Sequence, residues 1–447
     1  MANTTKRALH GPATWILTAA LAATAAPALA QTAPAATTTA PAPAATPAPA
    51  APPPGFWING IHLYAQGEAG IVLNPYQPSN GLNFGQLFTD HANQFQLNQI
   101  LLTAVKPLDS SVAGYSTGFK FQFMYGSDAR YTHFLGELDR ATSDRYQMDI
   151  VEANASLHTP WLFKGGIDFK AGQYPTPLGY ETIDPSTNPF YSHSYIFNFG
   201  LPLKHTGLLA VAHVSPLVDV YMGGDTGNQT SVGNGENNGA GAFLGGIGLN
   251  MMGGNLTVLA LTHFGPENAT RALSPLGFNA NGYYRFYNDI VTTWKVNDKL
   301  TLTNEINWVR DDFGATGFAA GKPSASNGFG MAQYLSYTLS DTVTANARAE
   351  IWRDDNNFFV AAYPANLGPD LALGGYSTPV ISASGPTTYG ELTLGITWKP
   401  DMPAPFTGLM FRPEVRWDHA YTNTHPFNAG ANNNVATIAA DIVLDVF

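Results

Sequence analysis

From Phe56 onward, apolar and polar positions alternate in segments of about ten residues, a length that crosses a bilayer as a tilted strand. In 61–71, Ile61, Leu63, Ala65, Ala69 and Ile71 share one parity, and His62, Tyr64, Gln66 and Glu68 the other. In 115–125, Tyr115, Phe119, Phe121, Phe123 and Tyr125 oppose Ser116, Lys120 and Gln122. In 389–399, Leu392, Leu394, Ile396 and Trp398 oppose Glu391, Thr393, Thr397 and Lys399. A period of two marks strands whose faces meet different surroundings. Sixteen strands are expected on this basis, near 61–71, 95–105, 114–125, 146–157, 165–173, 206–215, 217–223, 242–251, 255–264, 284–296, 299–309, 328–340, 342–353, 387–399, 408–419 and 435–446. Alternation is poor in 95–105, 146–157, 206–215 and 242–251.

The connections carry further information. Short links (106–113, 158–164, Pro216, 253–254, 297–299 and 340–341) take turns with long ones (72–94, 126–145, 174–205, 224–241, 265–283, 310–327, 354–386 and 420–434). Such alternation is what an outer-membrane barrel produces, with short periplasmic turns and long extracellular loops. The expected fold is therefore all-β: a transmembrane antiparallel β-barrel of about sixteen strands with both ends of the barrel in the periplasm. Trp294 and Trp398 fall at the turn ends of apolar rows, and Trp308 and Trp417 at the loop ends, the two levels where indoles sit in a bilayer. Trp352 falls on the polar parity instead. In the last strand Ile438, Ala440, Ile442, Leu444 and Val446 form the apolar row, leaving Phe447 out of step.

Composition fits a barrel. Charged residues make up 12% and aromatics 12%, with 45 glycines and a mean hydropathy of -0.07. Beyond the N-terminal segment no stretch approaches the roughly 20 apolar residues of a membrane helix. The absence of cysteine excludes disulfides and thiolate chemistry. Lys6 and Arg7, the apolar Trp15–Ala26 and the Ala28-Leu29-Ala30 site before Gln31 read as a secretory signal over 1–30. An Ala/Pro/Thr-rich linker over 31–55 follows, read as a periplasmic tether, and 56–447 is the barrel. The formal net charge of -11 argues against nucleic acid as a partner.

Strand parity then nominates wall residues for the barrel interior: Lys170, Arg285, Asp289, Glu305, Arg348, Glu350, Glu391, Arg412, Glu414, Arg416 and Asp418. Facing lipid, an Arg or Lys at the midplane would cost roughly 2–4 kcal/mol, so these should face water or one another. They are expected to line a pore or to pair across strands. The loop 174–205 is long, aromatic and low in charge; it either folds inward as a constriction, with Tyr180, Glu181 and Asp184 at the narrowing, or packs outside. The acidic balance suggests a weak preference for cations. The repeated Asp311-Asp312 and Asp354-Asp355 pairs read as solvated rim charge, or as holders of a divalent cation bridging lipopolysaccharide. No G-x-S-x-G, H-E-x-x-H or P-loop occurs, and the histidines are scattered, so no catalytic residues are expected. No cofactor or metal is required.

One block is pointed. In 171–207, Gly179-Tyr180-Glu181, Asn188-Pro189, Tyr191-Ser192 and His205-Thr206-Gly207 occur in an order and spacing that resembles the OmpL-like β-barrel porin family. Arg348-Ala349-Glu350, Arg353-Asp354-Asp355 and Arg412–Asp418 look familial too. The resemblance spans most of 56–447 and implies a pore without naming a solute. Sixteen strands also leave an aqueous lumen, where eight leave a packed interior. The expectation is an outer-membrane porin passing small hydrophilic solutes or ions. The other reading is a non-conducting structural or adhesive barrel plugged by its own loops. Expected partners are outer-membrane lipid, lipopolysaccharide, the barrel-assembly machinery and, as is common for large porins, two further copies in a homotrimer.

Overall fold

A computed structural model describes residues 55–134, 136–138, 141, 145–268, 270, 279–312, 325–362, 381–382 and 385–446. The expected signal sequence, nearly all of the linker, and Phe447 lie outside these residues.

Sixteen strands alternate in direction around a closed sheet: β1 (Ile61–Leu73), β2 (Phe95–Lys106), β3 (Ser116–Gly126), β4 (Gln147–Thr159), β5 (Ile167–Pro175), β6 (Lys204–His213), β7 (Val218–Asp225), β8 (Ala242–Met251), β9 (Leu256–Pro266), β10 (Tyr284–Lys295), β11 (Leu300–Asp311), β12 (Ser326–Ser340), β13 (Val343–Asp354), β14 (Thr387–Trp398), β15 (Phe406–Ala420) and β16 (Asn434–Val446). Each pairs antiparallel with its chain neighbours, and β16 pairs with β1 to close the barrel. The sheet counts seventeen strands because Phe56–Ile58 also pairs with the start of β1. All sixteen expected strands form, with ends within two residues of their expected positions. Closure leaves every interior strand paired on both sides, so a bilayer meets no unsatisfied backbone.

Two of the poorly alternating strands are irregular for a physical reason. In the β1–β2 ladder, Glu68 pairs with Gln99 but Ala69 pairs with Leu97, so Asn98 is an extra residue and both Asn98 and Gln99 are buried inside. In the β3–β4 ladder, Gln122 pairs with Glu152 and Phe123 with Ile150, leaving Val151 extra and buried beside Glu152. A bulge of this kind breaks a period of two. In β6 and β8 the pattern fails because Leu209 and Leu244 are apolar residues on the inner row, and Gly245, Gly246 and Gly248 carry no polarity.

The outer rows are apolar and exposed, including Ile306, Leu392, Leu394, Val415, Ile438 and Ile442. Trp294, Trp398 and Trp417 are exposed on them, whereas Trp352 is fully buried inside. The hydrophobic core is thus within the barrel, built from loop residues such as Phe84, Phe88, Tyr195, Ile196 and Phe197 against wall residues such as Tyr334, Trp352 and Tyr389.

Candidate pore constriction

The segment between β5 and β6, residues 176–203, enters the barrel instead of leaving it. Locally it is rigid. Thr182 N–H donates to Asn188 Oδ1 (2.9 Å) and Asn188 Nδ2 to Thr182 O (2.7 Å), closing a turn that Asp184 caps by accepting from Ser186 N–H (3.0 Å). Ile196–Gly200 forms a single π-helical turn, all of it buried. Its place requires a bare wall: a Cβ on Gly330 in β12 would stand 2.5 Å from Ile196 Cγ1 and 2.7 Å from Trp352.

Wall charges hold the segment. Arg348 donates to Glu181 Oε1 (2.8 Å), to the Ser192 carbonyl (2.7 Å) and to Glu391 (3.0 Å). Arg412 donates to the carbonyls of Pro185 (2.8 Å) and Asn188 (2.9 Å) while pairing with Glu68 (3.0 Å) and Asp441. Arg416 donates to His193 O (2.6 Å) and to Asp418 (2.8 Å). Backbone N–H groups answer the carboxylates: Tyr191 to Glu414 (2.9 Å), Tyr195 and Ile196 to Glu350 (2.6 and 2.8 Å), Gly179 to Asp289 (3.1 Å), and Tyr180 to Glu305 (3.2 Å). Arginines take the carbonyls of Pro185, Asn188, Ser192 and His193, and carboxylates take the segment's amides, so wall charges answer these buried backbone groups. Within the segment, burial would raise the Glu181 carboxyl, but the Arg348 guanidinium and the His193 ring (2.7 Å) hold it at about 2.

A second segment, 74–94, covers the first. Phe88 packs on Phe197 and His193 with centroids 5.3 and 5.0 Å apart. Asp90 there accepts both Arg130 nitrogens at 2.9 Å, which keeps its carboxyl far below the ordinary range against the pull of burial. Toward the periplasmic turns the interior opens into a cavity of about 440 Å³ whose lining includes Lys106, Lys120, Glu152, Asp168, Lys170, Pro177 and Tyr221.

All eleven wall residues expected inside the barrel are placed there, but nine are buried beneath the inserted segment or its neighbours, and only Lys170 and Arg285 remain partly exposed. Lys170 lines the cavity, and Arg285 is paired with Asp311. Tyr180 packs on Tyr334 (4.5 Å), Glu181 is neutralised by Arg348, and half-buried Asp184 caps a turn. Glu181 is thus no free charge at a narrowing. The Asp pairs are not simple rim charge either. Asp311 is buried, and Asp354 accepts the N–H groups of Phe358, Phe359 and Val360 at 3.0, 2.9 and 2.9 Å. Glu68 and Asp441 were legible on polar rows but carry weight only beside Arg412; His193, Asp90 and Arg130 sit in aperiodic loops that give no such signal.

A family model described as "Putative beta-barrel porin-2, OmpL-like" matches residues 60–445. The chain belongs to this family. Among solved structures, the porin resembles the anion-selective porin from Comamonas acidovorans (8% identity, TM-score 0.51, covering 86% of this chain and 99% of that one). It also resembles Salmonella typhi OmpF in complex with daunomycin (10%, TM-score 0.50, 86% and 97%). The outer membrane channel DcaP of Acinetobacter baumannii follows at 12% identity and TM-score 0.49, covering 88% and 99%. No curated protein matches the porin in sequence. The family makes it an outer-membrane channel protein, and the likeness to the Comamonas and Salmonella porins is one of fold.

Proposed function

We propose that the porin passes small hydrophilic solutes or ions by passive diffusion, with segment 176–203 as its constriction. The observation that carries this reading is the set of paired wall charges fastening that segment across the interior. Most of the acidic wall charge is tied up in these pairs, so the net acidity of the chain is a poor guide to selectivity. Lys120 of the periplasmic cavity is paired with Glu152, but Lys170 has no carboxylate within ion-pair distance among the described residues, and its charge makes that vestibule favourable to anions. The buried wall residues act as anchors rather than as the pore lining. Residues 1–30 serve as an export signal and 31–55 as a periplasmic tether; lipid, lipopolysaccharide, the assembly machinery and a homotrimer fit the same setting. No enzymatic step is assigned.

Deleting 182–196 tests the constriction. The folded variant should show a single-channel conductance several times that of the wild type. An unchanged conductance would show that the segment does not set the bore.

A further inference from the structure

At the loop ends of β6, β7 and β9, away from the inserted segment's charge pairs, His205, Asp225 and His263 meet in the interior and are all buried. Asp225 lies opposite Gly207 in β6 and Ala242 in β8. A Cβ on Gly207 would stand 2.7 Å from that of Asp225, so the bare position lets the carboxylate lie between strands. His205 Nδ1 comes 3.0 Å from Asp225 Oδ2, and His263 Nε2 comes 3.0 Å from Oδ1. The two imidazole centroids are 4.7 Å apart.

Two features exceed a carboxylate that merely accepts from two rings. His205 Nδ1 and Asp225 Oδ2 face each other without the alignment of a hydrogen bond, and both atoms are buried without a hydrogen-bond partner. A buried nitrogen and oxygen left in this state are costly unless a third species satisfies them. Moreover, the far nitrogen of His205 has its own partner, and that of His263 faces a carboxylate. His205 Nε2 lies 3.0 Å from Thr176 Oγ1, whereas His263 Nδ1 faces Glu267 Oε1 at 3.9 Å, too far for a hydrogen bond. Glu267 is itself fixed by accepting Asn228 N–H at 2.7 Å. Metal-binding histidines are held by a partner such as Thr176 on the nitrogen that does not ligate.

We propose that His205, Asp225 and His263 bind one divalent transition-metal cation of the zinc type, which ties β6, β7 and β9 together below the long loops. The ligand atoms lie within 4.8 Å of one another, so a side-chain adjustment of a few tenths of an ångström brings all three to about 2.0–2.2 Å from a single ion. Two imidazoles and one carboxylate suit zinc, cobalt, nickel or copper better than calcium or magnesium, which prefer all-oxygen sets. Three protein ligands leave a fourth position for water. The His205-Thr206-Gly207 element noted in the sequence thereby gains a use: one residue ligates and the other clears room for Asp225.

The test titrates the full folded chain, stripped with a chelator, with Zn²⁺ by calorimetry and with Co²⁺ by visible absorption. One equivalent should bind, with cobalt giving ligand-field bands that zinc abolishes. Asp225→Asn should weaken binding by more than about 100-fold, beyond the 10–100-fold that loss of an outer-shell partner costs. His213→Gln should leave the single equivalent intact, since that ring pairs with Asp219 and Asp168 elsewhere. Should Asp225→Asn not fold, His205→Gln gives the same reading. Absence of a stoichiometric site in the folded wild type, or undiminished binding in the ligand variants, would overturn the proposal and leave Asp225 a bridge between two histidines.

Discussion

At the scale of single residues, the inserted segment rests on arginines that cannot be removed alone. Arg348 is fully buried, is shared by Glu181 and Glu391, and lies 5.1 Å from the centre of the Phe190 ring. Truncation leaves two buried carboxylates without their cation, so Arg348→Ala should cost about 3–5 kcal/mol in reversible unfolding. Arg310→Ala, which removes a partly exposed pair with Asp312, should cost under about 1 kcal/mol; equal losses in the two variants would refute the buried-anchor role. Glu181 adds a pH dependence. Its folded pKa of about 2 lies below the ordinary 4.5. Its contribution to stability is therefore complete above the ordinary value and is lost as pH falls from there through about 2. Conductance steps should accordingly stay uniform at pH 5 and become larger or noisier only below about pH 4, as the segment loosens. In Glu181→Gln that acid transition should disappear. Parity puts Arg348, Arg412 and Arg416 on inner rows, and all three are buried. It could not name their partners, because those lie in a stretch with no period.

At the scale of elements, strands were readable wherever two faces met two media. The outer rows stay apolar against lipid all round the barrel, so β10 to β16 stand out. The signal failed where the inner face was also apolar, as at Leu209, or where a bulge turned two neighbours inward, as at Asn98 and Gln99. The inward fold of 176–203 was an open alternative from length and composition alone. What decides it is a set of contacts spanning more than two hundred residues of sequence, such as Arg412 to Pro185. β5 offers a sharper test of selectivity, because Lys170 lies in the vestibule rather than under the segment. Lys170→Glu should move the reversal potential in a salt gradient toward cations without changing stability by more than about 0.5 kcal/mol. An unmoved reversal potential would mean that the vestibule is not on the permeation path.

At the scale of the whole molecule, a closed sixteen-stranded sheet is wide enough for water, and the family is one of porins. Its interior is nevertheless crowded: two loop segments pack an aromatic core against the wall, and a cavity of about 440 Å³ opens on the periplasmic side. A narrow, small-solute channel reconciles the two facts, and its conductance should be low and sensitive to the inserted segment. The most direct measurement is the single-channel current of the folded wild-type protein in a planar bilayer. Stable ohmic steps, small beside those of the 182–196 deletion, are the predicted result. Silence from protein shown to be folded and inserted would contradict diffusion through this barrel and leave the packed interior as a plug.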